Sequence, residues 1–318
     1  MAISVIIPAY NAEKYLPETV ESVCAQTRGD WDLTIVNDGS RDETGPLVDR
    51  LAAAELRIHA VHQKNAGLSG ARNSGLAAIS PSTDYVLFLD ADDVLERDAL
   101  ETLAALLDAH PDAPAAYGLA RYIDGKGNRT RPGEAEQFGR TRQSIRGGRP
   151  VDHPVAEAAC FAMLAYRNII WTPGQVLIRR IVLDRAGVFD VTMSPTADWD
   201  MWLRITQQGK MPLSDTVVLS YRRHEHNMSG SGQSMRAAEM MMRVKASQAS
   251  SLTDEQRRAV LEGFRYSERG YAVQWGQRGM DALVHGHPRQ AVRYLRIAAN
   301  YYRWSRGTPL SGEKFSKA

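Results

Sequence analysis

Short apolar runs alternate with helical patterns over residues 1–110 of the chain. Four of these runs predict strands, and the first is rich in β-branched residues, as expected for a strand that is buried on both faces. The runs are Ser4–Pro8, Leu33–Val36, Ile58–His62 and Tyr85–Leu89. A helical pattern follows each of them, and this order predicts an α/β fold with a mainly parallel sheet and right-handed crossovers.

Two side chains are expected to start helices in this region. Asn11 is predicted to cap a helix whose inner stripe is Leu16, Val20 and Val23. Ser40 and Glu43 fit the S-x-x-E pattern of a capping box ahead of the second helix. The next two helices are predicted near Leu68–Ala78 and over Asp98–Ala109.

The pattern changes beyond Ala115. A hairpin is predicted between Ala115–Ile123 and Asn128–Arg131, and the polar segment Gly133–Pro150 is predicted to be a loop. Further helices are expected over His153–Tyr166, over Asp198–Gln208 and, almost continuously, from Ser234 onward; strands are expected over Gln175–Ile178 and Val217–Arg222.

Composition bounds the class of protein. The 318 residues are 43% hydrophobic and 24% charged, which is typical of a soluble globular chain with one large α/β domain and an appendage, or with two modest domains. A formal net charge of +2 is too small to indicate nucleic acid as a bulk partner. The chain has neither a signal-peptide pattern nor a run of membrane-spanning length, so a cytoplasmic location is expected. Cys24 and Cys160 are predicted to be small buried side chains.

The sharpest chemical signal is Asp90-Ala91-Asp92-Asp93, directly after the fourth predicted strand. Three carboxylates in four residues repel one another unless a cation compensates them. Such hard oxygen ligands suit Mg²⁺ or Mn²⁺, whose remaining positions phosphate oxygens can fill. A solvated acidic turn that caps the next helix is the alternative, and the position at the binding edge of a parallel sheet favours the metal site.

Two further strand ends carry candidate ligand-binding groups. Asp38 can accept hydrogen bonds from a base or a ribose, although it also fits a plain turn before a helix. The segment Asn65–Asn73 offers glycines for close backbone approach, among them Gly67, and Arg72 for a phosphate. It matches neither the G-x-G-x-x-G nor the P-loop pattern, so the sequence gives no support to a dinucleotide-binding or P-loop mechanism.

Taken together, these motifs resemble those of the family-2 inverting glycosyltransferases, which have the GT-A fold. The resemblance covers residues 1–230 and leaves 231–318 as a helical C-terminal extension. The motifs are Val5–Asn11, Val36–Asp42, Gly67–Asn73, Asp90–Asp93, Gly187–Asp190, Asp198–Arg204 and Tyr221–His224.

The resemblance implies a role for each matching residue. The nucleotide-sugar donor would be bound by Pro8, Tyr10, Asn11, Asp38, Gly67, Arg72, Asp90 and Ala91. Asp90, Asp92 and His224 would form the metal site for Mn²⁺ or Mg²⁺, and Asp198 would be the general base. The acceptor would be a sugar, a lipid-linked or a small-molecule hydroxyl. UDP is the expected nucleotide.

Two positions depart from the family pattern. Asn37 stands where an acidic residue is frequent, and Ala197 stands where Glu commonly precedes the base. A non-catalytic nucleotide-sugar sensor is therefore one alternative. A sugar-phosphate nucleotidyltransferase is the other, but Val5–Asn11 does not supply the Gly-rich, basic loop that this class needs.

The C-terminal segment has an uneven charge. Residues 288–318 hold seven Lys or Arg and one acidic residue, Glu313. The apolar stripe of the helix is Val292, Leu295, Ala299 and Tyr302, and the basic side chains lie outside it. This pattern fits peripheral contact with an anionic membrane surface. The alternative, which the pattern favours, is a helix that packs on the domain or on a partner with a solvated basic face.

Overall fold

The computed structural model describes residues 2–134, 136, 140–225, 227 and 232–306. They form two compact units. The first lies within Met1–Arg142, Pro154–Cys160 and Ile169–Ala238, and the second within Gln143–His153, Phe161–Asn168 and Glu239–Ala318. The helical region after residue 238 thus shares its unit with two earlier segments, and the division of the chain at residue 230 stays a prediction.

The first four strands and helices alternate as the apolar pattern predicts. The strands are β1 (Ile3–Ala9), β2 (Trp31–Asp38), β3 (Ile58–Gln63) and β4 (Tyr85–Phe88). The helices are α1 (Leu16–Cys24), α2 (Thr44–Ala54), α3 (Gly67–Ala78) and α4 (Ala99–Ala109). The expected α/β class is confirmed.

The remaining elements follow in chain order. The strands are β5 (Val94–Leu95), β6 (Ala115–Ile123), β7 (Arg129–Thr130), β8 (Gln143–Arg146), β9 (Arg149–Asp152), β10 (Val176–Arg179) and β11 (Leu213–Arg222). The helices are α5 (Phe161–Tyr166), α6 (Arg180–Ala186), α7 (Ala197–Thr206), α8 (Gly232–Gln248), α9 (Asp254–Val284) and α10 (Pro288–Arg306), and Pro173–Gln175 is a 3₁₀ turn.

Within the described residues, the first unit is built on a nine-stranded sheet in the order β3-β2-β1-β4-β10-β6-β11-β5, with β7 added to β6. Strands β1 to β4 are mutually parallel, β10 is reversed, and β6 and β11 again run with β1. The carboxyl ends of β1, β2, β3, β4, β6 and β11 therefore share one edge of the sheet.

Helix α3 packs closely on this sheet because glycine faces it. A Cβ atom at Gly75 would lie 2.3 Å from Cγ2 of Ile6, in the middle of β1. All seven residues of β1 are buried, which explains why the strand is a continuous apolar run instead of an alternating one.

The second unit contains the β8–β9 hairpin and the long helices α9 and α10. Gly147 and Gly148 connect the two strands, both with positive φ. A Cβ atom at Gly279 would lie 2.8 Å from Leu295, so α9 and α10 approach closely at that point. The helical pattern predicted from Ser234 is confirmed up to Arg306; its remainder lies outside the described residues.

Three local expectations are wrong. The segment Gly133–Pro150 is no continuous loop, because β8 and the start of β9 lie in it; residues 135 and 137–139 lie outside the described part. The helix expected over His153–Tyr166 is confined to Phe161–Tyr166, since Ala159 is held in extended pairing with Met211. Cys24 is exposed and Cys160 is partly exposed. The apolar stripe of α1 turns Cys24 outward.

Among the described residues, no helix combines the length and the apolar character that are needed to cross a bilayer.

Candidate active site

The strand order of the sheet reverses between β1 and β4. From β1, the sheet continues through β2 and β3 on one side and through β4 on the other. The β1–β4 pairing ends at Ile6 and Phe88, two residues before Pro8, which has no N–H to donate. Ligands of open α/β sheets bind at such switch points, outside the carboxyl ends of the strands.

The loops after β1 and β2 brace each other. The backbone N–H of Asn11 donates to Ser40 Oγ at 3.0 Å, and Arg41 N donates to Asn11 Oδ1 at 2.9 Å. Asn11 has a positive φ of 49°, which asparagine tolerates better than most residues. Neither predicted cap forms: α1 begins after Tyr15, and α2 begins after Glu43 without a side-chain cap. Asn11 and Ser40 serve the loops instead of the helices.

The predicted nucleotide residues differ in how far they are buried. Pro8 is buried at the end of β1, whereas the side chain of Tyr10 is 48% exposed. Asp38 is buried, and its Oδ1 accepts from Gln63 Nε2 at 2.7 Å and from Ala66 N at 2.8 Å. These bonds tie β2 to the loop before α3. Gly67, the first residue of α3, has a positive φ and open space where a Cβ would be.

Arg72 and Asp90 form an ion pair that is largely buried. Arg72 Nη2 lies 2.5 Å from Asp90 Oδ1, and its guanidinium also lies over the ring of Phe189, 5.2 Å from the ring centroid. Asn73 fixes Phe189 through two backbone hydrogen bonds of 2.8 Å, one donated and one accepted. Phe189 of the Gly187–Asp190 motif therefore packs against the guanidinium of Arg72.

His224 contacts Asp92 in the acidic turn Asp90–Asp93. Its Nε2 lies 2.8 Å from Asp92 Oδ2, and the ring of Tyr15 stacks on the imidazole at a centroid distance of 5.0 Å. Burial, followed by the charge of Asp90, raises the pKa of Asp92. Burial and the charge of Asp92 raise the pKa of Asp93 well above its ordinary value. Ala91 lies between these carboxylates, and its carbonyl accepts from Thr19 Oγ1 at 2.9 Å.

Arg222 forms hydrogen bonds to the acidic turn. It is almost fully buried, and its backbone N–H donates to Asp93 Oδ1 at 3.0 Å. Its guanidinium donates to the carbonyl of Asp92 at 2.8 Å and to Glu18 Oε2 at 2.6 Å. The sequence did not predict this role, although Arg222 lies in the Tyr221–His224 motif.

Thr172 also forms hydrogen bonds to this turn. Its buried hydroxyl lies 3.0 Å from Asp93 Oδ2 and 3.3 Å from Asp90 Oδ2. It also begins the 3₁₀ turn before β10, where Gln175 Oε1 accepts from Trp171 N at 2.8 Å. The T-x-x-Q pattern of Thr172 and Gln175 predicts the turn but not the contacts with Asp90 and Asp93, because these partners lie about eighty residues earlier in the chain.

Asp198 enters the same electrostatic environment from the first turn of α7. Burial raises its pKa to about 6, and the positive charge of Arg72 opposes that shift. Its Oδ1 accepts from Trp199 N at 2.7 Å. Trp199 and Trp202 are buried, as expected for residues that anchor the helix in the core, and Ala197 is buried at its start.

The donor set suits a hard divalent cation that shares its coordination with a ligand. In the described part of the chain, no group of three or more His, Cys, Asp or Glu side chains is arranged to hold a metal by itself. Asp90 already faces Arg72 and Thr172. Asp92 and His224 together present one oxygen and one nitrogen, and Mg²⁺-type sites complete such a set with phosphate oxygens and water. Asp92 and His224 are therefore the described residues that fit a divalent metal ion.

Residues 4–171 match the family model described as "Glycosyl transferase family 2". This match covers more than half of the chain. The chain therefore belongs to glycosyltransferase family 2, and the GT-A fold that the motifs predict agrees with the observed sheet.

Relatives in bacteria carry the same region within longer proteins. Glycosyltransferase GlyA of Streptococcus pneumoniae is 44% identical over 101 residues, which are 32% of this chain and 14% of GlyA. Chondroitin synthase of Escherichia coli is 27% identical over 227 residues, 71% of this chain and 30% of the synthase. The matches thus span less than a third of either relative.

Solved structures share the fold over nearly the full length. TarS 1-349 of S. aureus in complex with UDP-GlcNAc gives a TM-score of 0.64 at 18% identity, covering 98% of this chain and 94% of that one. The mannosyltransferase PcManGT of Pyrobaculum calidifontis, in complex with GDP-Man and Mn²⁺, gives 0.57 at 17% identity, covering 96% and 88%. At these identities the likeness establishes the fold.

Proposed function

We propose that this glycosyltransferase moves a sugar from a nucleoside-diphosphate donor to an acceptor hydroxyl with inversion at the anomeric carbon. The observation that carries the proposal is that Arg72–Asp90, Asp92–His224 and Asp198 lie close enough to interact, since the charge of Asp90 acts on both Asp92 and Asp198. A guanidinium, an acidic cation site and a carboxylate of raised pKa are the groups that diphosphate departure and hydroxyl deprotonation require.

The proposed donor is a UDP-sugar. TarS is solved with UDP-GlcNAc and with UDP, whereas PcManGT is solved with GDP-Man, so the shared fold accommodates both bases. The match to chondroitin synthase, which covers 71% of this chain, supports a glycan product such as a polysaccharide or a glycoconjugate. Pro8, Tyr10, Asn11 and Asp38 would surround the base and the ribose, and Gly67, Ala91 and Arg72 would adjoin the phosphates and the sugar.

The metal proposed here is Mn²⁺ or Mg²⁺, and Mn²⁺ is present in the PcManGT complex. Asp92 and His224 would hold it, with Asp90 beside them. When bound, such an ion acts as a Lewis acid that stabilises the negative charge on the diphosphate by several kcal/mol.

Asp198 is the proposed general base. Its carboxylate takes the proton from the acceptor hydroxyl while the oxygen forms its bond to the anomeric carbon. The bond from that carbon to the diphosphate breaks, and the nucleoside diphosphate leaves with the electron pair. Attack opposite the leaving group inverts the configuration. A positioned carboxylate of this kind contributes about 10²–10⁴-fold to the rate.

The deciding experiment is a thermal-shift screen of nucleotide sugars with and without Mn²⁺ or Mg²⁺, followed by donor-turnover assays. A metal-dependent shift with one donor, and release of its nucleoside diphosphate in the presence of an acceptor, supports the transferase. A shift without turnover over a broad acceptor panel indicates the non-catalytic sensor, the alternative that rests on Ala197. Release of pyrophosphate from a sugar phosphate and a nucleoside triphosphate indicates the nucleotidyltransferase.

A further inference from the structure

Helix α10 has one side made almost entirely of arginine. At 3.6 residues per turn, four arginines fall within an arc of about 80° on its surface. We call them the arginine face: Arg289, Arg293, Arg296 and Arg303. Ala291 and Ser305, the buried residues of this helix, lie on the opposite side. The arginine face therefore points away from the packed side of the helix.

Nothing within the described part of the chain neutralises this face. All four arginines are exposed, and none of them forms an ion pair with a described carboxylate. Residues 288–306 contain no Asp or Glu at all. Elsewhere in the described residues arginines are commonly paired, as in Arg180–Asp184 and Arg28–Asp30. An arginine row without counter-charges indicates a partner that supplies them.

Exposed apolar side chains border the same face. Val292 adjoins the arginines on α10 and is 51% exposed. At the end of α9, directly before the turn into α10, Leu283 and Val284 are exposed, the latter by 80%. Arginine beside exposed apolar side chains is the pattern of helices that lie in a bilayer interface, where the charges meet lipid phosphates and the apolar groups enter the acyl boundary.

We propose that the arginine face of α10, with Val284 and Val292, binds the surface of an anionic phospholipid bilayer. Charge complementarity selects the lipid, since each arginine near such a surface gains about 1 kcal/mol, and the apolar side chains add the insertion. The covalently attached glycosyltransferase unit is then held at that surface, where acceptors carried by lipid are found. The proposal is independent of the proposed donor and base, because binding is measured without turnover.

The test is cosedimentation of the full chain with vesicles of phosphatidylcholine alone or with about 30% phosphatidylglycerol. We expect binding only to the anionic vesicles, weakened by salt. The double variant Arg293→Glu/Arg296→Glu should lower the partition coefficient by at least about thirtyfold. Arg50→Glu/Arg97→Glu changes the net charge equally at exposed, unpaired arginines of the described first unit and should bind like the parent. Val284→Ser/Val292→Ser should weaken binding at constant charge.

Three outcomes overturn the proposal. Equal binding to both kinds of vesicle removes the electrostatic argument, and equal losses in the two double arginine variants show a general charge effect. A stable oligomer in light scattering that dissociates in Arg293→Glu/Arg296→Glu, without vesicle binding by the parent, assigns the face to a second copy of the chain. Circular dichroism and thermal melts of each variant identify any loss that is due to unfolding.

Discussion

His224 lies 2.8 Å from Asp92, Nε2 to Oδ2, although 132 residues separate them in the chain. The stacked ring of Tyr15 limits the orientations of the imidazole. Arg222, two residues before His224, binds the backbone of Asp92 and the carboxylate of Asp93. The end of β11 therefore places the histidine at the acidic turn after β4 in a fixed position, next to the other proposed metal ligand.

Replacement of Asp92 by Asn is expected to abolish the metal response. The amide keeps the shape but removes the charge that a divalent ion requires, so donor turnover should fall by about a hundredfold or more. The Mn²⁺-dependent part of the thermal shift with donor should disappear. A matched control is Asp49→Asn, because Asp49 pairs with His62 at 2.9 Å on the surface. An unchanged metal response in Asp92→Asn would sink the assignment.

The Arg72–Asp90 pair should show strong coupling. Arg72 is buried and Asp90 is mostly covered, so removing one partner leaves a poorly solvated charge. In a double-mutant cycle with Arg72→Met and Asp90→Asn, we expect a coupling free energy of unfolding of about 1–3 kcal/mol. The exposed pair Arg180–Asp184 serves as the control, with about 0.5 kcal/mol or less. Equal coupling in urea denaturation would show that burial does not strengthen the Arg72–Asp90 pair.

Strands β1 to β4 were predictable because their apolar runs are visible in the local sequence. β1 is apolar throughout and lies between two parallel neighbours, so its run needs no knowledge of its partners. The predicted helix caps failed for the opposite reason. Asn11 and Ser40 satisfy cap patterns locally, but each finds a better partner in the loop of the other.

The candidate site divides in the same way. Asp90 and Asp92 were predicted as site residues because carboxylates at a strand end can be recognised from a few residues of sequence. Thr172 and Arg222 were missed as supports because their hydrogen bonds span from about eighty to more than two hundred residues. Only the sheet order, with reversed β10 and parallel β11, brings these residues to the acidic turn.

Thr172 is expected to be a positioning residue whose hydroxyl matters. Thr172→Val retains the shape but removes the hydrogen bond to Asp93 Oδ2, which should cost about 1–3 kcal/mol of stability. We expect kcat to fall while the KM for the donor changes less, since Asp90 and Asp92 would lose their alignment. Thr172→Ser should restore both. If valine and serine behave alike in kcat and in urea unfolding, the hydroxyl has no such role.

Protonation of Asp198 is expected to lower kcat/KM at acidic pH. A base of pKa about 6 is ionised above that pH and protonated below it, so log kcat/KM should fall with a slope of about one as the pH decreases through 6. Asp198→Asn should remove turnover and leave donor binding in the thermal-shift assay intact. A wild-type profile that is flat between about pH 5 and pH 8, with protein that remains folded, would contradict this assignment.

The same carboxylate should lower stability at neutral pH. Burial raises its pKa from the ordinary 3.8 to about 6, so between these values the folded state binds more protons than the unfolded one. Stability therefore decreases as the pH rises through this window, and the full cost is present above it. Asp198→Asn, which can still accept from Trp199 N, should stabilise the protein by about 1–3 kcal/mol near pH 7.5 and by little near pH 4. Asp200→Asn in the same helical turn should instead destabilise it, because Asp200 is buried and bound to Arg204 at 2.8 Å. Urea denaturation of both variants at the two pH values measures the difference, and a less stable Asp198→Asn at neutral pH would show that this carboxylate is not held there at a cost.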